Sequence, residues 1–192
     1  MLDPLGTVEA RPVYRVVLGA ACAGLDARLR RFFSPAGTRT GRFAVRRGRR
    51  PLARWLGRRL GLPAPGSGVP VRLVIDPCPE GERWRREFAG VDLVTEQRAV
   101  GEGMLAEQFG PLEFHFRVEG EPGGVRHRQV GVTLVLGMLR LPLPGWIAPR
   151  VEGRMYVVAG DARPRVVVSL TVPLAGFLLA YAGAIESGGG GP

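Results

Sequence analysis

Residues 166–185 read V-V-V-S-L-T-V-P-L-A-G-F-L-L-A-Y-A-G-A-I, twenty residues between Arg165 and Glu186 without a charge. That is about the length that crosses a bilayer as a helix, so the fold depends on whether the stretch spans or folds back. Val166, Val168, Leu170 and Val172 alternate with Val167, Ser169 and Thr171 in a β-branched run, and Pro173 to Gly176 interrupts it. β-branched alternation broken by Pro and Gly is strand, turn, strand. A spanning helix would carry Pro173 and Gly176 near its middle, which is unfavourable without partner helices. The expectation is a hairpin with its turn at 173–176. In that hairpin Phe177, Leu179, Tyr181, Gly183 and Ile185 share one face.

Upstream, the period of two continues. Runs at 69–75, 83–88, 92–98, 104–109, 112–119, 125–136 and 151–158 alternate apolar and polar residues between short Gly- or Pro-rich separators, and 42–46 reads as a further strand. Short connections imply antiparallel neighbours, and no helices stand between the strands to build a doubly wound fold. Before residue 62 the period is nearer 3.6, with short helices at 14–22 and 25–33 and an amphipathic one at 51–60. The predicted class is α+β: a long, curved, mostly antiparallel sheet of about eight to ten strands with N-terminal helices packed against it. A single domain over 11–186 is expected, between a tail at 1–10 and a Gly-rich tail at 187–192. A curled sheet of this length makes an apolar cup.

All 27 basic residues are arginine, and thirteen of them fall between Asp26 and Asp76, an interval with no acid. Such a cluster reads either as an anion-binding surface, for nucleic acid or an anionic membrane, or as the composition of an arginine-only chain. In the 51–60 helix Arg54, Arg58 and Arg59 form a basic face opposite Leu52, Trp55, Leu56 and Leu60. The expectation is that Trp55 packs on the sheet. Cys22 and Cys78 are isolated and no histidines cluster, so neither a metal nor a cofactor is expected. The acidic start M-L-D-P-L-G-T-V-E-A lacks the positive charge of a leader, and a cytoplasmic setting, with peripheral membrane contact as its variant, is expected.

Alternation also sorts the polar residues. In E-R-W-R-R-E-F, Glu82, Trp84, Arg86 and Phe88 share a face, and in L-A-E-Q-F, Glu107 lies between Leu105 and Phe109. A carboxylate pointing inward with these residues needs a partner, and Arg86 is the expected one, with Glu152 extending the network. Tyr181 adds a hydroxyl from the last strand. His115 and His127 are read as surface residues. No nucleophile elbow, dinucleotide loop, phosphate loop or zinc-protease motif is present.

Taken in order, E-R-W-R-R-E-F-A-G, A-E-Q-F-G-P-L-E-F-H-F, L-P-L-P-G-W-I-A-P-R-V-E-G and V-P-L-A-G-F-L-L-A-Y-A-G resemble a bacterial family known only as domain of unknown function 4166, over about residues 13–186. The resemblance implies that Glu82, Trp84, Arg86, Phe88, Glu107, Phe109, Glu152 and Tyr181, with Gly110, Pro111, Pro144, Pro149 and Gly183, are the matching positions. It implies no activity. Some relatives look fused to a dehydrogenase- or epimerase-like domain. Three functional readings stand side by side. The first is a module binding a hydrophobic or lipid-like small molecule, with Arg86 and Glu107 at the polar end of its cup. The second is an accessory domain for a separate NAD(P)-dependent oxidoreductase, docking through the arginine-rich first third. The third is an enzyme using paired carboxylates for proton transfer.

Overall fold

A computed structural model describes residues 12–33 and 37–187. The uncharged stretch folds as the expected hairpin: strands β10 (Arg165–Val172) and β11 (Gly176–Ser187) pair antiparallel around a turn at 173–175. No helix among the described residues is long and apolar enough to cross a membrane. The remaining strands are β1 (Gly37–Arg47), β2 (Gly66–Cys78), β3 (Gly81–Phe88), β4 (Val91–Gly101), β5 (Met104–Phe109), β6 (Leu112–Glu121), β7 (Gly124–Leu136), β8 (Leu139–Pro142) and β9 (Arg150–Tyr156). Helices are few and short: α1 (Val13–Leu18), a 3-10 turn (Gly19–Gly24), α2 (Ala27–Phe32) and α3 (Pro51–Arg59).

The sheet is closed rather than merely curved. Neighbouring strands pair antiparallel from β1 to β7, then β7 with β9, β9 with β10, β10 with β11, and β11 returns to β1. Ten strands complete the barrel, and β8 is a short hairpin strand added to the end of β7. Closure leaves only the four-residue β8 with a free edge among the described residues, and is the most direct remedy for a long sheet whose free edges would otherwise recruit other chains. A ten-stranded wall also encloses more room than side chains alone fill, since about eight strands already give an interior that side chains can just occupy.

The register sorts the barrel into two ends. Arg39 pairs with Ser187 and Leu73, so the start of β1 lies with the end of β11 and the end of β2; Arg47 pairs with Leu179, at the opposite end. At the first end, α1 and α2 plug the barrel. Val17 O accepts from Gly103 N in the β4–β5 turn, Arg39 Nε donates to Phe32 O, and Val13, Tyr14, Val17, Leu29, Phe32 and Phe33 are all buried. Asp26 caps α2, accepting from Arg28 N at 2.8 Å, while the Arg28 guanidinium reaches the Val158 and Asp161 carbonyls beyond β9. The predicted packing of N-terminal helices on the sheet takes this form: they fill one mouth of the barrel.

At the far end, α3 lies against β11 and β1, but not by the face that its leucines and tryptophan define. Ala53 and Gly57, one turn apart, are its buried residues, and Trp55 is 54% exposed. The expectation that Trp55 packs on the sheet is corrected: the small residues permit close approach. A Cβ on Gly57 would fall 1.7 Å from the Arg47 guanidinium, which itself donates to the Leu62 and Pro63 carbonyls. Inside the wall, Phe43 of β1 lies over Gly183 of β11. A Cβ there would come within 2.6 Å of the ring and 2.4 Å of the Arg42 carbonyl oxygen, so the glycine makes the seam between first and last strands possible.

Candidate functional site

Inward positions on β3, β4 and β5 meet in the middle of the barrel. Arg86 pairs across the ladder with Leu93, and Gln97 with Glu107, so the arginine and the carboxylate sit two strands apart with Thr95 and Gln97 between them. Arg86 Nη2 is 3.3 Å from Glu107 Oε1, Arg86 Nη1 donates to Thr95 Oγ1 at 2.8 Å, and Gln97 Nε2 donates to Glu107 Oε1 at 3.1 Å. The guanidinium also lies over the Trp84 ring at 5.2 Å. With side-chain exposures of 13% and 19%, the pair is largely out of water and lines a cavity of about 150 Å³.

Burial by itself would push the Glu107 carboxyl up. The Arg86 charge and hydrogen bonds from Thr95 and Gln97 outweigh it and hold the carboxyl below its ordinary value. Burial likewise opposes the Arg86 charge, and Tyr181 and Glu107 beside it keep its value raised. Both groups are therefore ionised at neutral pH, and Glu107 is poorly suited to act as a general acid there.

The rest of the cavity wall is apolar and aromatic. Phe43, Phe88 and Tyr181 contact one another on one side, with Phe88 and Tyr181 centroids 5.1 Å apart; Phe114 and Phe116 stack on the other. The plug adds Tyr14, stacked on Phe33 at 4.0 Å, whose hydroxyl lies 2.7 Å from His127 Nε2. Burial raises the Tyr14 hydroxyl well above its usual value and lowers His127, so Tyr14 keeps its proton and shares a hydrogen bond with a neutral imidazole. Glu82 holds plug to wall: its Oε1 accepts from Val13 N at 3.1 Å and its Oε2 from Trp84 Nε1 at 2.9 Å.

Inward residues near the plug, such as Ile75, Trp84, Leu105, Val125, Met155 and Ile185, are buried. Toward the far end the two sides differ: Leu62, Phe88 and Leu179 remain buried, whereas Leu93, Phe109, Leu112, Val151 and Leu170 on the other side are only half-buried. The cavity thus has a closed floor and a mouth at the far end. One acceptor beside it is left over: Gln97 lines the cavity, and its Oε1 is buried and receives no hydrogen bond within the described residues. Among those residues no three or more His, Cys, Asp or Glu side chains gather as a metal site requires.

The family model described as Domain of unknown function (DUF4166) matches residues 25–185. The chain belongs to the DUF4166 family. No curated protein and no solved structure matches it. All the strand residues around the cavity fall inside the matched span, whereas α1, with Tyr14, precedes it.

Of the positions singled out in the sequence, Trp84, Arg86, Phe88, Glu107, Phe109 and Tyr181 line the cavity of this DUF4166 barrel. Glu82 faces inward but is sealed behind Trp84 and α1. Glu152 does not join the network. Val151, Gly153 and Met155 take the inward positions on β9, which puts Glu152 outside and exposed. Arg54, Arg58 and Arg59 are exposed on α3. The surface reading of His127 is overturned: Val125 and His127 share the inward face of β7, although Arg126 and Arg128 on either side make the segment look solvated. His115 faces outward, bonded to Thr133, beside Glu113. Glu113 itself is buried outside the wall beneath Arg98 and Arg140, and nothing in its local pattern announces this because Arg140 arrives on the unpredicted β8.

A neutral, half-buried His127 and an ionised, half-buried Glu107 make stability pH-dependent in one direction. The unfolded chain protonates histidine below about pH 6.5 and glutamate below about pH 4.3, where the folded chain still resists. Both folded values are depressed. Stability is therefore complete above about pH 6.5 and is lost in two stages as pH falls through each folded value. The melting temperature will decline from pH 7.5 to pH 5.5, and the same scan on His127→Gln will be flatter over that interval. An unchanged slope in the variant would show that other groups carry the effect.

Proposed function

We propose that this DUF4166 barrel is a binding module for a hydrophobic small molecule that carries a hydrogen-bond donor. The observation carrying the reading is an otherwise aromatic and aliphatic cavity with a mouth at one end, lined by Gln97, whose buried Oε1 has no partner among the described residues. A buried acceptor without a partner costs about 1–3 kcal/mol, which a ligand hydroxyl or N–H relieves once the Gln97 amide turns toward it. A volume near 150 Å³ matches an aromatic ring or a short stretch of alkyl chain; longer molecules would extend through the mouth. Arg86 and Glu107, paired with each other, form a polar boundary. They favour a dipolar group over a free charge, since a charged ligand would unbalance the pair.

Two measurements test this. Native mass spectrometry and solvent extraction of the purified protein should release an apolar compound. Titration with 4-propylphenol should raise the melting temperature, and 4-propyltoluene, without the hydroxyl, should bind about tenfold more weakly, the value of one buried hydrogen bond. Gln97→Leu should abolish that preference, and Val168→Trp, which fills the cavity, should abolish both interactions. Equal binding of the two compounds by wild type would remove Gln97 from the reading, and no binding of either would sink it.

A further inference from the structure

The far end of the barrel is unlike the rest of the surface. Five connections reach it: two are the short turns at 89–90 and 110–111, and the other three are residues 48–65 with α3, residues 137–149 around β8, and residues 173–175 between β10 and β11. Each of these three displays large apolar side chains. Trp55 is flanked by exposed Leu52 and Leu60 on α3; Met138 at the β7–β8 tip is fully exposed and Trp146 is 76% exposed; Leu174 is 93% exposed. Leu174 also holds φ at 67°, a left-handed conformation that disfavours a branched side chain, so the turn presents a leucine where glycine would be easier.

The ladder places these segments together. β7, β9, β10, β11 and β1 are consecutive strands of the wall, and all three connections leave from the same ends of them. The charge is mainly of one sign: these three connections contain six arginines and no aspartate or glutamate. Although Arg140 is taken up by Glu113 and Asp92 flanks the 89–90 turn, the five arginines of 48–65 remain. Two of the three tryptophans in the chain lie here in the open, and the third, Trp84, is inside the barrel. Exposed tryptophan with arginine and no acid is the chemistry of the headgroup region of an anionic bilayer, where indole sits at the interface and guanidinium meets phosphate. A second protein offering an acidic surface would match the arginines but not the separated, protruding Met138, Trp146 and Leu174.

We propose that this end of the barrel docks on the surface of an anionic lipid bilayer, inserting Trp55, Met138, Trp146 and Leu174 while the arginines of 48–65 contact lipid phosphates. A nine-residue helix is a weak anchor by itself. Three insertion points on one rigid barrel act as a single multivalent anchor. The same end carries the mouth of the cavity. Delivery of a membrane-dissolved ligand into the barrel rests on the binding reading above; the docking itself does not.

The test is flotation of the full chain with vesicles of phosphatidylglycerol and phosphatidylcholine in equal parts, and with phosphatidylcholine alone. The protein should float with the anionic vesicles, its tryptophan emission should shift to the blue, and binding should weaken as salt rises. Trp55→Ser/Trp146→Ser/Leu174→Ser, all at exposed positions, should melt as wild type does and partition more than about tenfold less. Arg54→Gln/Arg58→Gln/Arg59→Gln should lose the preference for the anionic lipid. Failure to float at low salt overturns the proposal, as does flotation that the apolar triple variant leaves unchanged. Concentration-dependent dimerisation that this variant abolishes, without vesicle binding, would assign the surface to a second copy and overturn it equally. Val168→Trp separates the two readings: a variant with a filled cavity should bind no alkylphenol yet still float.

Discussion

Replacing Arg86 by methionine will destabilise the protein by about 3–5 kcal/mol, because it leaves the Glu107 carboxylate inside the barrel without its counter-charge. Arg86 offers Glu107 a contact at 3.3 Å, bonds Thr95 at 2.8 Å, and lies over Trp84. Methionine keeps much of the stem's volume and none of these interactions. The loss should be recovered when the acid goes too: Arg86→Met/Glu107→Leu exchanges a buried ion pair for apolar groups and should return to within about 2 kcal/mol of wild type, or exceed it. Urea unfolding of the four proteins in the cycle measures the coupling directly. A single variant costing less than about 1 kcal/mol would mean that water reaches the pair freely. The cycle also bears on purpose. If the double variant is as stable as wild type, the pair is not there for stability, and the loss of alkylphenol binding in that same variant becomes the informative result.

Phe32→Ala should cost about 3–5 kcal/mol, the usual range for emptying a fully buried phenylalanine site. Its ring is 5.4 Å from that of Phe33 and 5.9 Å from Trp84, and the Arg39 guanidinium lies 5.2 Å from its centre. Because Phe32 belongs to the plug and also lines the cavity, the substitution enlarges the cavity from its closed floor. Phe32→Leu keeps most of the volume and should cost about 1–2 kcal/mol. Thermal and urea unfolding distinguish the two. If Phe32→Ala unfolds α1 and α2 without lowering the main transition, the plug is an independent unit rather than part of the barrel's core.

What could be read from the sequence was whatever period two controls. The hairpin of 165–187 and eight other strands follow from alternation and from Gly or Pro separators, and alternation also set Trp84, Arg86 and Phe88 on the face that turns out to line the cavity. Two kinds of fact escaped. The first is closure, which rests on β1 meeting β11 across more than a hundred residues of chain and on β6 meeting β7 while β7 also meets β9. Local pattern carries no term for such pairings. The second is the choice of face where the pattern misleads. On α3, bulk pointed to Trp55 as the packed residue, but the small side chains at Ala53 and Gly57 decided which side could approach the sheet. His127 was hidden by its arginine neighbours, although counting two residues from Val125 would have found it. Bulges at His115/Phe116 and Leu170/Thr171 then shift the count itself, and Phe177 lies partly exposed beyond the second of them. The four residues of β8 are all exposed and offer no alternation to read.

The seam between β1 and β11, with Phe43 laid over Gly183, also has a kinetic side. Its partners lie near opposite ends of the described chain, so the loop that must close is nearly the whole molecule, and the entropy of closing it comes due before the seam returns any contact energy. Until then the nascent sheet carries two raw edges, one of them β11, uncharged up to Glu186 and the segment best suited to adhere to another chain. Folding of this protein is accordingly a race between the join and self-association, with the outcome set by protein concentration during synthesis.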